Sequence, residues 1–310
     1  MLACVTGATG IIGSRIVNRL TVKGINVRIL SRKKTLLNKG VELVIGDLLD
    51  PLTVERFLLD ADIVFHCAAE LRKESEMILT NIEGTRHLVE SLEKNSVSFF
   101  CHMSSAGVVG KTSACVVDEK TECHPMNLYE QTKWESEKIV SEKGLENCRT
   151  YILRPTNVID ELKIGVLNLP TYPGVVNRIK LLIKGKELAH LIHAEDVADA
   201  ALFFFENENT PKGTYFVSCD DHPDNTVAGA WKIYRELMGF ASAKKILSLP
   251  LWVPHVIRRA TGNYLNKGNI VYSSQRLLKA GFSFKLGFKG AIRLVALSKR
   301  DRSGTTSLPA

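Results

Sequence analysis

Between the apolar run Leu2–Thr6 and the amphipathic run Ile11–Lys23 the chain reads Thr6-Gly-Ala-Thr-Gly-Ile-Ile-Gly13. A strand that turns on three glycines directly into a helix restricts the fold more than any other feature of the sequence. The first glycine permits the tight turn, the second a close backbone approach, and the third close contact of helix and strand. The helix N-terminus then offers unpaired N–H groups and partial positive charge, a setting made for phosphate. The strand before the glycines and the helix after them are the context that gives the spacing meaning.

The same alternation continues. Asn26–Leu30, Val41–Ile45, Asp62–Cys67, Val97–Met103 and Arg149–Leu153 read as further strands. Between them, Asp50-Pro51 reads as a cap followed by proline at the first helical position. Ile78, Ile82, Val89 and Leu92 recur at helical spacing over Glu74–Lys94, and Asn127–Lys143 is a helix closed by Gly144. Strands alternating with helices require a parallel sheet covered on both faces, connected right-handedly. The expected fold is α/β, a doubly wound parallel sheet of the Rossmann type with a smaller C-terminal substrate-binding lobe. Residues 1–158 form the dinucleotide-binding domain, to which 190–218 return. Residues 159–189 and 219–298 form the lobe, and 299–310 a disordered tail. Val158–Lys186, with Pro170 and Pro173, is expected to be loop-rich; His193–Ala200 opens a helix and Thr214–Ser218 is a strand.

The 310 residues carry a net charge of +8, but the Lys and Arg are spread along the whole chain, so no nucleic-acid partner is expected. None of the seven cysteines stands in a Cys-x-x-Cys pair, which indicates neither zinc nor disulfides and points to the cytoplasm. No stretch reaches the ~20 apolar residues of a membrane span. Ile246–Ile257, with Lys244 and Lys245 before it and Arg258 and Arg259 after it, has the pattern of an interfacial anchor, although a lid over a substrate cleft is the favoured reading.

Tyr129 and Lys133 stand four residues apart on the expected helix and share one face. A neighbouring cation favours the phenolate of a tyrosine that otherwise titrates near ~10. With the glycine loop, Gly46-Asp47, His66-Cys-Ala-Ala69, Asn81 with Gly84-Thr85, Ser104-Ser105 and Arg154-Pro-Thr-Asn-Val158, the pair resembles the extended short-chain dehydrogenase/reductase superfamily, the NAD-dependent epimerase/dehydratase family. The resemblance implies that Tyr129 is the general acid or base, that Lys133 lowers its pKa and bonds the nicotinamide ribose, and that Ser105 holds the substrate carbonyl oxygen. Ser104 is expected to face the cofactor or the sheet. The same resemblance puts the cofactor phosphates at Gly7, Thr9, Gly10, Ile11, Ile12 and Gly13, and the adenine at Asp47 and Leu48. Ala68 and Ala69 would let the backbone approach the cofactor, Asn81 would anchor the active-site backbone, and Pro155 and Asn157 would meet the nicotinamide amide. His66, His193 and Asp196 are expected to pack or cap.

A dinucleotide fold that binds NAD usually ends its second strand with an acid that holds the ribose 2′-hydroxyl. Here Ser31 takes that place and Arg32-Lys33-Lys34 follow, so NADP(H) is the preferred cofactor, with Arg32 clamping the 2′-phosphate and NAD(H) as the alternative. Val109 and Ile159-Asp160 depart from the family pattern on what is expected to be the substrate side. The insert from Asp160 to Leu191 is shorter than the one the resemblance implies for sugar-nucleotide epimerases and dehydratases, and the run Tyr272–Lys285 is similar to the ending of dihydroflavonol reductase-like and hydroxysteroid dehydrogenase-like members. The expected activity is therefore reduction of a ketone or aldehyde, or oxidation of the alcohol, on a small, lipophilic substrate suggested by Phe240, Leu249, Leu251 and Trp252. A sugar-nucleotide epimerase, dehydratase or reductase is the first alternative, and a dinucleotide sensor without chemistry the second. Many members of the family pair through the helices bearing Asn81 and Tyr129, which leaves a homodimer open.

Overall fold

The computed structural model describes residues 1–35, 40–143, 147–161, 175–260 without 241–246, and 268–302. Gly144, Pro170, Pro173, Lys244, Lys245 and Ile246 lie outside the described residues, as do the side chains of Arg258 and Arg259.

In chain order the first half comprises β1 (Leu2–Thr6), α1 (Gly13–Val22), β2 (Asn26–Ser31), β3 (Val41–Ile45), α2 (Pro51–Leu58), β4 (Ile63–His66), α3 (Glu74–Met77), a π-helical turn (Ile78–Glu83), α4 (Gly84–Glu93), β5 (Phe99–Met103) and a 3₁₀ turn (Ala106–Val109). Then follow β6 (Val116–Val117), α5 (Leu128–Glu142), β7 (Arg149–Pro155), β8 (Asn157–Ile159), α6 (Val175–Lys184), β9 (Leu191–His193), α7 (Ala194–Glu206), β10 (Gly213–Val217), α8 (Val227–Leu237), α9 (Trp252–Ala260), β11 (Val271–Tyr272), α10 (Gln275–Lys279) and α11 (Gly287–Arg302).

Seven strands form one sheet in the order β10-β7-β5-β4-β1-β2-β3. The pairs β1–β2, β1–β4, β2–β3, β4–β5 and β5–β7 are all parallel. This is the doubly wound sheet that the alternating pattern requires. The order reverses beside β1, where the glycine loop leaves the sheet; open α/β sheets bind ligands at such a switch point. Strand parity sorts the core. Cys4, Val64, Phe100 and Ile152 face a cluster with Val54 and Phe57 of α2, Leu88 and Val89 of α4, and Ile139 and Val140 of α5. On alternate positions Phe99 and Tyr151 meet Phe204 and Phe205 of α7.

The chain divides into two compact units, Met1–Gly110 with Cys123–Arg154 and Val197–Tyr215, and Lys111–Glu122 with Pro155–Asp196 and Phe216–Ala310. The second unit thus takes in 111–122 and starts at Pro155, a few residues before the expected boundary. It holds two short sheets, β8–β9 and β6–β11, both parallel. Within it the fully buried Asp196 carboxylate accepts the backbone N–H groups of Lys285, Leu286 and Gly287 at 2.9–3.1 Å, which fixes the entry to α11.

Three expectations are corrected. The stretch read as loop-rich contains α6, whose Val175, Ile179, Leu182 and Ile183 recur at helical spacing. The helix read as continuous over Glu74–Lys94 is interrupted by the π turn at 78–83. The end read as a tail from residue 299 continues α11 to Arg302. Among the described residues no helix is long and apolar enough to cross a membrane.

Candidate active site

The site grows from α5. Asn127 caps its N-terminus, its side-chain oxygen accepting from Glu130 N at 2.9 Å. Tyr129, Lys133 and Glu137 follow at successive turns and so share one face. Tyr129 is half-buried, whereas Lys133 and Glu137 are each 2% exposed. Ser105 lies just after β5 as the cap of the 3₁₀ turn, accepting from Gly107 N at 3.1 Å. The Ser105 side chain favours the ionised form of the Tyr129 phenol. The structure thus places Ser105 near Tyr129, with Lys133 one turn along α5.

The electrostatics differ from the expectation of a lysine-acidified phenol. In the protein alone burial pushes the Tyr129 phenol up to about 12; Ser105 opposes this and Glu130 adds to it. Burial pushes Lys133 down to about 8, opposed by Glu137 and Cys67. Desolvation is the largest cause in both groups, since it penalises both charged forms.

Beneath Lys133 lies a buried ionic network that the sequence reading did not assign. Arg154 clamps Glu137 through Nε–Oε1 at 3.0 Å and Nη2–Oε2 at 2.6 Å, and Ser104 donates to Oε1 at 2.5 Å. Arg154 also hydrogen-bonds Cys123, and its guanidinium stands 5.7 Å from the Trp134 ring centroid. Ser104 thus faces α5 rather than a cofactor. The available signal was Glu137, an acid four residues after Lys133 on the face that carries Tyr129.

Two buried histidines, paired across β4 and β5, have ring centroids 5.2 Å apart. His66 bridges the hydroxyls of Thr6 at 2.7 Å and Thr85 at 3.0 Å, and His102 bonds Ser136 at 3.1 Å. Burial, reinforced by the Lys133 charge, pushes His66 down to about 3 and His102 well below its usual range, so both are neutral braces. Asn81 lies in the π turn, a feature common near functional sites. It is 1% exposed, ties Glu70 through both backbone groups at 2.7 and 3.0 Å, and donates to Thr132 at 3.0 Å. Thr132 in turn donates to the Tyr129 carbonyl at 2.9 Å. Asn81 therefore anchors the backbone that carries the tyrosine.

The glycine loop fits a dinucleotide phosphate. Gly7 has φ +64°, and a Cβ there would stand 2.6 Å from the backbone of Cys67 and Ala68. A Cβ on Gly13 would stand 2.3 Å from Gly7 O. The loop is thus pressed against the end of β4, where Ala68 and Ala69 are half-buried. α1 starts without a side-chain cap or an acid in its first turn, which suits an anion. Thr9 is exposed beside the half-buried Gly10, Ile11 and Ile12. Ser31 closes its own turn, donating to Lys33 O at 2.8 Å, while the Arg32 side chain is 64% exposed and 3.8 Å from Glu76. Asp47 accepts from Leu49 N at 3.1 Å, and Leu48 is buried in the core. Pro155 and Asn157 belong to the second unit, where Asn157 donates to Ala189 O at 3.0 Å. His193 and Asp196 are fully buried structural groups, and Val109, Ile159 and Asp160 are buried rather than exposed to a substrate.

The model of the NAD dependent epimerase/dehydratase family matches residues 3–218. The chain is 27% identical to dihydroflavonol 4-reductase of Callistephus chinensis, over 93% of this chain and 85% of that protein. It is 28% identical to the N-acetyl-alpha-D-glucosaminyl-diphospho-ditrans,octacis-undecaprenol 4-epimerase of Escherichia coli O157:H7, over 58% of this chain and 53% of that protein. In fold it is similar to UDP-glucose 4-epimerase of Thermotoga maritima solved with UDP-glucose, with a TM-score of 0.74 and 20% identity over 98% of this chain and all of that one.

Proposed function

The chain belongs to the NAD dependent epimerase/dehydratase family of NAD(P)-dependent enzymes, and from that premise we propose that it is an NADP(H)-dependent oxidoreductase acting on a ketone or aldehyde, or on the corresponding alcohol. The observation that carries the reading is Ser105 acting on the Tyr129 phenol, with buried Lys133 one turn further on α5. Gly7 to Gly13 would hold the pyrophosphate, Asp47 the adenine, and Ala68, Ala69, Asn81, Pro155 and Asn157 would border the rest of the cofactor. NADPH supplies the hydride when bound.

In the reductive direction Ser105 holds the carbonyl oxygen and Tyr129 delivers a proton to it. A phenol at about 12 is fully protonated near neutral pH and so available as an acid. Lys133, at about 8, keeps most of its charge there and stabilises the phenolate left behind. Proton delivery of this kind contributes roughly 10²–10⁴ in rate.

The NADP preference is supported by Ser31 in the place of an acid and by the exposed Arg32 guanidinium. The reductase reading is supported by a likeness that spans nearly the whole chain in the dihydroflavonol reductase and about half of it in the sugar-lipid epimerase. That second likeness favours sugar-nucleotide epimerisation as the alternative reading. NADPH oxidation across a panel of ketones and aldehydes, with wild type and Tyr129→Phe, tests the proposal. Turnover that drops at least about 100-fold in the variant is expected; equal turnover in both proteins would remove the mechanism.

A further inference from the structure

We propose that His190, oriented by Asp220, is a substrate-recognition group of the second unit that accepts a hydrogen bond from a hydroxyl of the substrate. His190 occupies the left-handed region at φ +54°, which among the described non-glycine residues only Asp60 shares. Such a conformation persists where the surroundings over-determine it, and it clusters at functional sites. Here the His190 N–H donates to Asn225 Oδ1 at 3.1 Å, and its carbonyl accepts from Asn157 N at 2.8 Å.

The side chain is held as firmly as the backbone. Nδ1 lies 2.6 Å from Asp220 Oδ2, and the carboxylate is fully buried. Asp220 also accepts from Tyr272 N at 3.0 Å and from Asn225 Nδ2 at 2.8 Å. A carboxylate ringed by donors is an acceptor, so the shared proton sits on Nδ1. In that tautomer the lone pair of the ring is on Nε2. The Tyr272 ring stands edge-on with centroids 5.2 Å apart.

Such restraint on a purely structural histidine would accompany full burial. His193 shows that pattern: it is 0% exposed, with Glu195 N on Nδ1 at 3.1 Å and Glu161 on Nε2 at 2.7 Å. His190 instead keeps 20% of its side chain exposed. With Nδ1 turned to buried Asp220, Nε2 is the ring nitrogen left for a ligand. β8 and β9 place it next to Asn157, which pairs with Leu191. The proposal rests on the oxidoreductase reading, in which Asn157 borders the nicotinamide.

A phenol and a sugar offer the same hydroxyl chemistry, so two ligand pairs separate the sources: a dihydroflavonol against its fully O-methylated ether, and UDP-glucose against UDP. Affinities are measured by calorimetry with NADP⁺ present for wild type and His190→Asn. Asparagine tolerates the left-handed backbone and can still donate to Asp220, but it withdraws Nε2. The expected result is a preference of roughly 3–10-fold for the hydroxylated member of one pair in wild type, lost in His190→Asn with affinity for its partner unchanged. The ¹⁵N resonance of His190 Nε2 should move with the hydroxylated ligand only. The proposal is overturned if wild type binds neither pair or shows no preference, if the preference survives in His190→Asn, or if Nε2 does not respond. Tyr129→Phe separates the two readings. A hydroxyl preference in a protein that turns over no carbonyl keeps His190 in its role and defeats the oxidoreductase; turnover lost in Tyr129→Phe without any hydroxyl preference does the reverse.

Discussion

Replacing Glu137 with glutamine would remove the carboxylate on which the base of the site is built. Arg154 would keep its burial, at 4% exposure of its side chain, but lose its counter-charge and one of the two arms of its clamp, at 3.0 and 2.6 Å, because glutamine keeps a single acceptor oxygen. Leaving a buried charge without its partner costs about 3–5 kcal/mol. That is a large part of the ~5–15 kcal/mol by which domains are stable. Urea unfolding is the assay, and Trp134, stacked near the Arg154 guanidinium, reports locally by fluorescence. At a slope of about 3 kcal/mol per molar, the midpoint should fall by roughly 1–1.7 M. Glu137→Gln with Arg154→Met should recover much of the loss, because apolar replacement of both partners removes the unpaired charge. A midpoint within about 0.3 M of wild type, or a double variant no better than the single one, would refute the account of the network.

The other predictions concern charge and close packing. Because Lys133 sits at about 8 when folded against 10.5, the unfolded chain binds more protons between those values. Stability should therefore rise with pH across that window by up to about 3 kcal/mol, and its contribution is lost as pH falls through 8. Reductive kcat/KM should decline above pH 8 as the ammonium deprotonates; a rate that stays flat to pH 10 would exclude it. Arg32→Ala should raise the KM for NADPH about 10-fold or more and leave that for NADH nearly unchanged, since a charge-assisted fork contributes about 1.5–3 kcal/mol; equal effects on both cofactors would remove the clamp. Gly13→Ala places a methyl 2.3 Å from Gly7 O, so calorimetric unfolding should show a loss of about 1–3 kcal/mol, and a stability equal to wild type would mean that the loop is not pressed against α1.

The fold was legible because its signals are local. Each strand is a run of apolar residues and each crossover helix has a period or cap of its own, as with Asp50, which accepts from Leu52 N at 3.1 Å ahead of Pro51. The π turn at Asn81 was not legible, since the apolar spacing passes through it unchanged. α6 was obscured by the prolines and glycines before it.

Chain order alone determined the parallel sheet, the glycine loop at its switch point, and the placing of Tyr129 and Lys133 on one helical face, because backbone geometry turns spacing into direction. Only the tertiary structure decided the charge state of that face. The pKa values follow from how much water each group loses and which partners it meets: Ser105 and Glu130 at the phenol, Glu137 and Cys67 at the lysine. Ser105 and Cys67 follow strands other than the helix that carries the pair, and no pattern within a single stretch of chain records their approach.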